Sequence, residues 1–125
     1  TLNPGGVRIG TSEIYRIVEG LPEIADCVVV GKDTADDDVE VCLFVVLRPG
    51  VTLDSVLAKK IRTAIAEGAT RRHVPKHIRA VSAIPYTRNS KKVEMAVRQM
   101  IHGQDVPNVD ALANPESLEQ YRGIV

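Results

Sequence analysis

The apolar positions of this chain change period several times. Ile14, Ile17, Val18 and Leu21 recur at helical spacing behind Gly10-Thr11-Ser12, a segment suited to capping a helix, and Gly20 and Pro22 stop the run. Ahead of it, Val7-Arg8-Ile9 reads as a short extended piece behind Pro4-Gly5-Gly6. Ile24 to Gly31 and Val39 to Leu47 are continuous β-branched runs of the kind buried strands show, and the acidic turn between them predicts an antiparallel pair. Arg48-Pro49-Gly50 breaks the sheet. Thr52 is then expected to cap a helix whose apolar face is Leu53, Val56, Leu57, Ile61, Ala64 and Ile65, with Gly68 ending it. Ile78 to Ile84 reads as a further strand, Pro85 to Ser90 as a turn, and Val93 to Ile101 as a helix carrying Met95, Val97 and Met100. From His102 the periodicity fades into a tail marked by Pro107, Asn108, Asn114 and Pro115, with a helical turn expected at Glu116 to Tyr121. The expectation is an α+β domain over residues 1–101, a small mixed sheet with helices packed on it, followed by an irregular tail over 102–125.

Composition narrows the function classes. The chain has 125 residues, 44% hydrophobic and 26% charged, the make-up of one globular domain able to bury a core without metals or crosslinks. Sixteen Lys and Arg balance sixteen Asp and Glu, and Phe44, Tyr15, Tyr86 and Tyr121 are the only aromatic residues. This argues against a nucleic-acid or membrane partner. No apolar stretch approaches the roughly 20 residues of a membrane span. Cys27 and Cys42 lie in apolar runs with no CxxC, so they read as reduced core residues and not as zinc ligands. The start on Thr-Leu-Asn-Pro-Gly-Gly leads us to expect a piece of a longer, cytoplasmic polypeptide.

Charge is balanced overall but not locally. Arg71 to Lys92 contains seven Lys and Arg and no carboxylate, either a phosphate-seeking surface or a solvated cationic face. Asp36 to Asp38 lacks the ligand order of an EF-hand and reads as a solvated loop, while His73, His77 and His102 read as surface or packing residues. The sharper signal is Pro85-Tyr86-Thr87-Arg88-Asn89-Ser90-Lys91-Lys92, a tight turn that presents lysines directly before a helix.

That segment resembles the Pro-x-Thr-x-Ser-Gly-Lys loop near the C-terminus of adenylate-forming enzymes: acyl-CoA synthetases, peptide-synthetase adenylation domains and luciferases. Gly6-Val7-Arg8-Ile9 followed by Glu13-Ile14 resembles a second motif of that family, in the family's order and separation. NPGGVRIGTSEIY, IPYTRNSKKVEMAVRQ and ALANPESL are similar to one branch, the AMP-forming ligases that join acetoacetate or a similar small carboxylic acid to CoA. The resemblance implies the small domain that rotates on a hinge just upstream of Thr1, against its own N-terminal domain. It implies that Lys91 contacts the α-phosphate and carboxylate during adenylation, with ATP and Mg held by the N-terminal domain. By position Lys92 is the alternative, since Ser90 stands where the family carries glycine and the turn has room to shift. Gly6 corresponds to the glycine that lets the pantetheine of CoA pass, and Arg8 to an arginine near the nucleotide phosphate in the second conformation. Arg71 and Arg72 are candidates for the CoA 3′-phosphate. A lysine acetyltransferase acting on Lys91 is an expected partner, because acetylation removes the charge. The isolated chain is expected to be inactive. The rival reading is a non-catalytic, ferredoxin-like regulatory or metabolite-binding module, which has no need of a lysine-tipped turn.

Overall fold

The computed structural model describes residues 2–125, and Thr1, expected beside the hinge, lies outside them. β1 (Ile24–Asp33) and β2 (Val39–Leu47) form the expected antiparallel pair, Val28 facing Phe44 and Val30 facing Cys42. β3 (His77–Ala80) joins β2 in parallel, giving the order β1-β2-β3. A parallel neighbour needs a crossover, and α2 (Ser55–Gly68) supplies it. α1 (Ser12–Glu19) precedes the sheet and α3 (Glu94–Ile101) follows it. The fold is therefore the expected α+β arrangement of a small mixed sheet with helices packed on it.

The strands lack polar alternation because both sheet faces are covered. On one face Cys27, Val29, Leu43 and Val45 pack with Ile14 and Val18 of α1 and Leu57, Ile61 and Ile65 of α2. On the other, Val28, Val30, Cys42 and Phe44 meet Val97, Met100 and Ile101 of α3 together with Leu112, Leu118 and Tyr121 from the tail. Tyr121 is fully buried, stands edge-on to Phe44 at 5.2 Å between centroids, and donates its hydroxyl to the Ala83 carbonyl at 2.7 Å. The two cysteines are free, buried and on opposite faces, and burial pushes the Cys27 thiol up to about 12 and Cys42 to about 11.

Several local expectations change. The cap of α2 is Asp54, whose carboxylate accepts the Leu57 N–H at 2.8 Å; Thr52 lies two residues too early. Val56 and Met95, read as apolar-face residues, point to solvent at 75% and 63% exposure, because the packed faces of α2 and α3 are narrower than the sequence spacing allows. β3 stops at Ala80, and Val7-Arg8-Ile9 contributes a single bridge, Leu2 with Ile9, in place of a strand. Pro115–Ser117 and Glu119–Tyr121 are separate 3-10 turns in place of one helical turn.

The outer edge of β1 is protected by side chains. Val29 N–H donates to the Tyr15 hydroxyl at 3.0 Å, Asp33 N–H to His102 Nε2 at 3.0 Å, and Arg98 Nη1 donates to the Gly31 carbonyl at 2.6 Å. His102 Nδ1 faces the Arg98 carbonyl at 2.6 Å, so its proton sits there and the ring is a packing residue. An edge satisfied in this way does not recruit a further strand.

Candidate functional site

Lys91 sits on a short hairpin. Tyr86 and Lys92 form an antiparallel bridge, Val93 N–H donates to the Pro85 carbonyl at 3.0 Å, and Thr87 N–H to the Lys91 carbonyl at 2.8 Å. Within the tip, Ser90 N–H reaches the Thr87 carbonyl at 2.9 Å and Lys91 N–H the Thr87 hydroxyl at 3.2 Å. Ser90 has φ +64°, the left-handed conformation that glycine adopts without strain. Serine therefore holds, at a small cost, a conformation usually left to glycine.

The two adjacent lysines have opposite surroundings. Lys91 is exposed, and its amine has no hydrogen-bond or ion-pair partner among the described residues. Lys92 Nζ donates to Glu19 at 2.7 Å, lies 3.4 Å from Asp26 Oδ1, and stands 4.2 Å over the Tyr15 ring. Burial pulls the Lys92 ammonium down, but the bond to Glu19 and the nearby Asp26 outweigh it and hold its pKa above the ordinary lysine value. The Tyr86 hydroxyl donates to Asp26 Oδ2, and burial followed by that bond raises its pKa. Glu19, Asp26, Tyr86 and Lys92 thus fasten the hairpin to the start of β1, leaving Lys91 as its unpaired cation.

The glycine motif lies at the other end of β1. Leu2 and Ile9 exchange two hydrogen bonds, 2.9 and 2.7 Å, which closes residues 3–8 into a loop. Gly5 and Gly6 both have positive φ, +58° and +78°, and a side chain at Gly6 would meet no atom within 4 Å. Asp38 holds this loop: its Oδ1 accepts Gly5 N–H at 2.8 Å and Val39 N–H at 2.8 Å. Arg8, Arg71 and Arg72 are exposed and make no ion pair among the described residues. Arg72 Nη1 lies 3.7 Å from where a Gly5 side chain would begin. It lines a groove of about 410 Å³ with Gly5, Asp38, Glu40 and Lys76, in which Glu40 pairs with Lys76 at 3.3 Å and His77 at 3.0 Å. Arg72 is thus a neighbour of Gly5, and Gly6 and Arg8 share the loop of Gly5, whereas the Lys91 hairpin is fastened at the opposite end of β1. From Asp26, which anchors the hairpin, to Asp33 beside the acidic turn is seven residues of strand, roughly 23 Å.

Asp38 was expected to be a solvated loop residue and instead ties two segments together. Bonds from Val39 N–H and then Gly5 N–H hold its carboxyl below the ordinary aspartate value. A depressed folded pKa means the tether is present above the unfolded value of about 3.9 and is lost as pH falls through the folded value. We expect the Gly5 amide resonance to titrate with a midpoint below 3.9, as followed by NMR; an ordinary midpoint would mean that the bond does not form in solution. Nothing in the sequence marks Asp38 as a partner of a glycine 33 residues away.

These features define a domain with a free lysine on a braced hairpin at one end and an open, glycine-lined cationic loop at the other. Residues 13–91 match the AMP-binding enzyme C-terminal domain, and the chain belongs to that family. Among curated relatives, the acetoacetyl-coenzyme A synthetase of Rhizobium meliloti is 52% identical over 99% of this chain. The acetoacetyl-CoA synthetase of Rattus norvegicus is 48% identical over 99%. The chain spans 19% and 18% of the length of these two relatives. Among solved structures, acetoacetyl-CoA synthetase from Streptomyces lividans superposes with a TM-score of 0.85 at 34% identity, over 94% of this chain and 18% of that one.

Proposed function

We propose that the chain is the mobile C-terminal domain of an AMP-forming acid–CoA ligase acting on acetoacetate. The complete reaction is acetoacetate + ATP + CoA giving acetoacetyl-CoA, AMP and pyrophosphate. The observation that carries this reading is the unpaired amine of Lys91 on a fastened hairpin, since Lys92 is already committed to Glu19 and Asp26. The names of the relatives support acetoacetate as the acid.

In the first half-reaction a carboxylate oxygen attacks the α-phosphorus of ATP and pyrophosphate leaves. Negative charge shifts onto phosphoryl oxygens, and a fixed ammonium from Lys91 stabilises it with little reorganisation. In the second half-reaction the CoA thiol displaces AMP from the acyl-adenylate. Gly6 leaves room for the pantetheine arm, Arg8 faces the nucleotide phosphate, and Arg72 with Arg71 receives the CoA 3′-phosphate by charge-assisted hydrogen bonds. The separation of the two loops along β1 supports a domain that turns between half-reactions, presenting one end to its N-terminal domain in each. Exposed cations without internal partners fit phosphate ligands. In this reading Mg is held with ATP by the N-terminal domain; among the described residues no three His, Cys, Asp or Glu side chains converge as a metal site. No helix among the described residues is long and apolar enough to cross a membrane; we place the enzyme in the cytoplasm, with no nucleic-acid partner.

The test is product analysis with the complete enzyme. Acetoacetate, ATP and CoA are expected to give AMP and acetoacetyl-CoA, faster than acetate or butyrate give their thioesters, while the 125-residue chain alone is inactive. Release of ADP and phosphate, or a preference for another acid, would overturn the assignment.

A further inference from the structure

The tail beyond α3 makes a set of contacts that neither half-reaction explains. Residues Asp110 to Asn114 lie along Ile84 to Arg88, the strand that enters the Lys91 hairpin. Thr87 and Leu112 form an antiparallel bridge, Ala113 N–H donates to the Tyr86 carbonyl at 2.8 Å, and Arg88 Nη2 to the Asp110 carbonyl at 3.1 Å. Asn114 makes the most specific contact. Its Oδ1 accepts Tyr86 N–H at 2.9 Å and its Nδ2 donates to the Ile84 carbonyl at 2.8 Å, so one side-chain amide satisfies two backbone groups as a neighbouring strand would. Its own carbonyl accepts from the Ser117 N–H at 3.0 Å and hydroxyl at 2.8 Å. Ser117 is buried, and the flanking Leu112, Leu118 and Tyr121 are rooted in the core under Phe44. Asn114 therefore connects the hairpin to a fixed part of the molecule. The family match ends at residue 91, so every tail group in this contact lies outside the matched region.

We propose that Asn114 is a positioning residue for adenylation, acting through Lys91; the proposal rests on the function assigned above. A two-stranded hairpin is marginally stable by itself, and a third strand is what makes such a unit hold its shape. Residues 112–114 pair with the edge of the incoming segment that Lys91 and Val93 leave free, and stand in for that third strand at the Thr87–Leu112 bridge. A lysine that works as a fixed charge loses its effect when its loop moves, because stabilisation of developing charge depends on donors already in place. The tail thereby fixes the catalytic amine without touching substrate.

The experiment uses the complete enzyme and measures pyrophosphate exchange and thioester formation from supplied acetoacetyl-adenylate separately, for Asn114→Ala, Lys91→Ala and the double variant. Asn114→Ala is expected to lower exchange by about 10- to 100-fold, the upper figure being the scale of misplacing a reacting group by about 1 Å. Thioester formation stays close to the parent rate. Residues acting through one another are not additive, so the double variant should exchange no more slowly than Lys91→Ala. Equal losses in both half-reactions, no loss in either, or a multiplicative loss in the double variant would show that Asn114 is not positioning Lys91, leaving the function itself standing. If Lys91→Ala leaves exchange intact, the assigned function fails and this proposal with it. Should Asn114→Ala not fold, Asn114→Ser shortens the side chain while keeping a polar group near Tyr86 N–H, and the same comparison of half-reactions decides.

Discussion

Lys91→Ala in the complete enzyme is expected to reduce pyrophosphate exchange by on the order of 10²–10³, the usual loss when one preorganised donor to developing charge is removed. Thioester formation from preformed acyl-adenylate should survive at close to the parent rate, because in the proposed mechanism the amine serves only the adenylating half. The informative comparison is Lys92→Met, which keeps the aliphatic stem over Tyr15 but leaves Glu19 and Asp26 without their cation. That variant should lose thermal stability and retain most of its exchange activity once folded. If Lys92→Met abolishes exchange while Lys91→Ala does not, the catalytic assignment is wrong by one residue. Acetylation of Lys91 should reproduce the alanine effect by removing the same charge. Mass spectrometry of the modified lysine alongside the exchange rate checks this directly.

Gly6→Leu should have the mirror-image effect, a fall in thioester formation on the order of 10²-fold with exchange nearly intact, if the pantetheine arm passes this position. The structure adds a control. Gly6 has φ +78°, so any L side chain is strained there, yet nothing lies within 4 Å to clash with it in the isolated domain. Gly6→Ala carries the same backbone strain, about 1–2 kcal/mol, with little bulk. A graded series in which alanine is mild and leucine severe identifies obstruction of a path. Equal losses for both, or parallel loss of exchange, would identify backbone strain and make Gly6 a structural glycine.

Much of the fold was legible in the chain because burial leaves a local signature. Ile24 to Gly31 and Val39 to Leu47 read as buried strands since residues on alternating faces all meet a core. The helices read from their apolar spacing, and Lys91, Gly6 and Arg8 from short motifs whose spacing is carried by consecutive residues. Other features had no local mark. Thr52 and Asp54 are both competent caps, and only the path of the chain after Gly50 decides that Asp54 accepts the Leu57 N–H. Met95 and Val56 fit a helical apolar face, and the width of the packed surface excludes them.

The candidate site divides along the same line. Sequence alone determined that a lysine-tipped turn and a glycine loop exist, and it left two adjacent lysines as alternatives. The tertiary structure distinguished their surroundings, because Glu19 and Asp26 come from distant parts of the chain to occupy one amine and leave the other unpaired. Asp38 finds Gly5 across 33 residues, and Asn114 finds Tyr86 across 28. Tail residues Leu112, Leu118 and Tyr121 follow no helical or strand period, since they enter the core from successive 3-10 turns, and so the tail read as irregular. Periodic burial is written in neighbouring residues; a hydrogen bond or ion pair between residues far apart in the chain is decided only when folding brings them within reach.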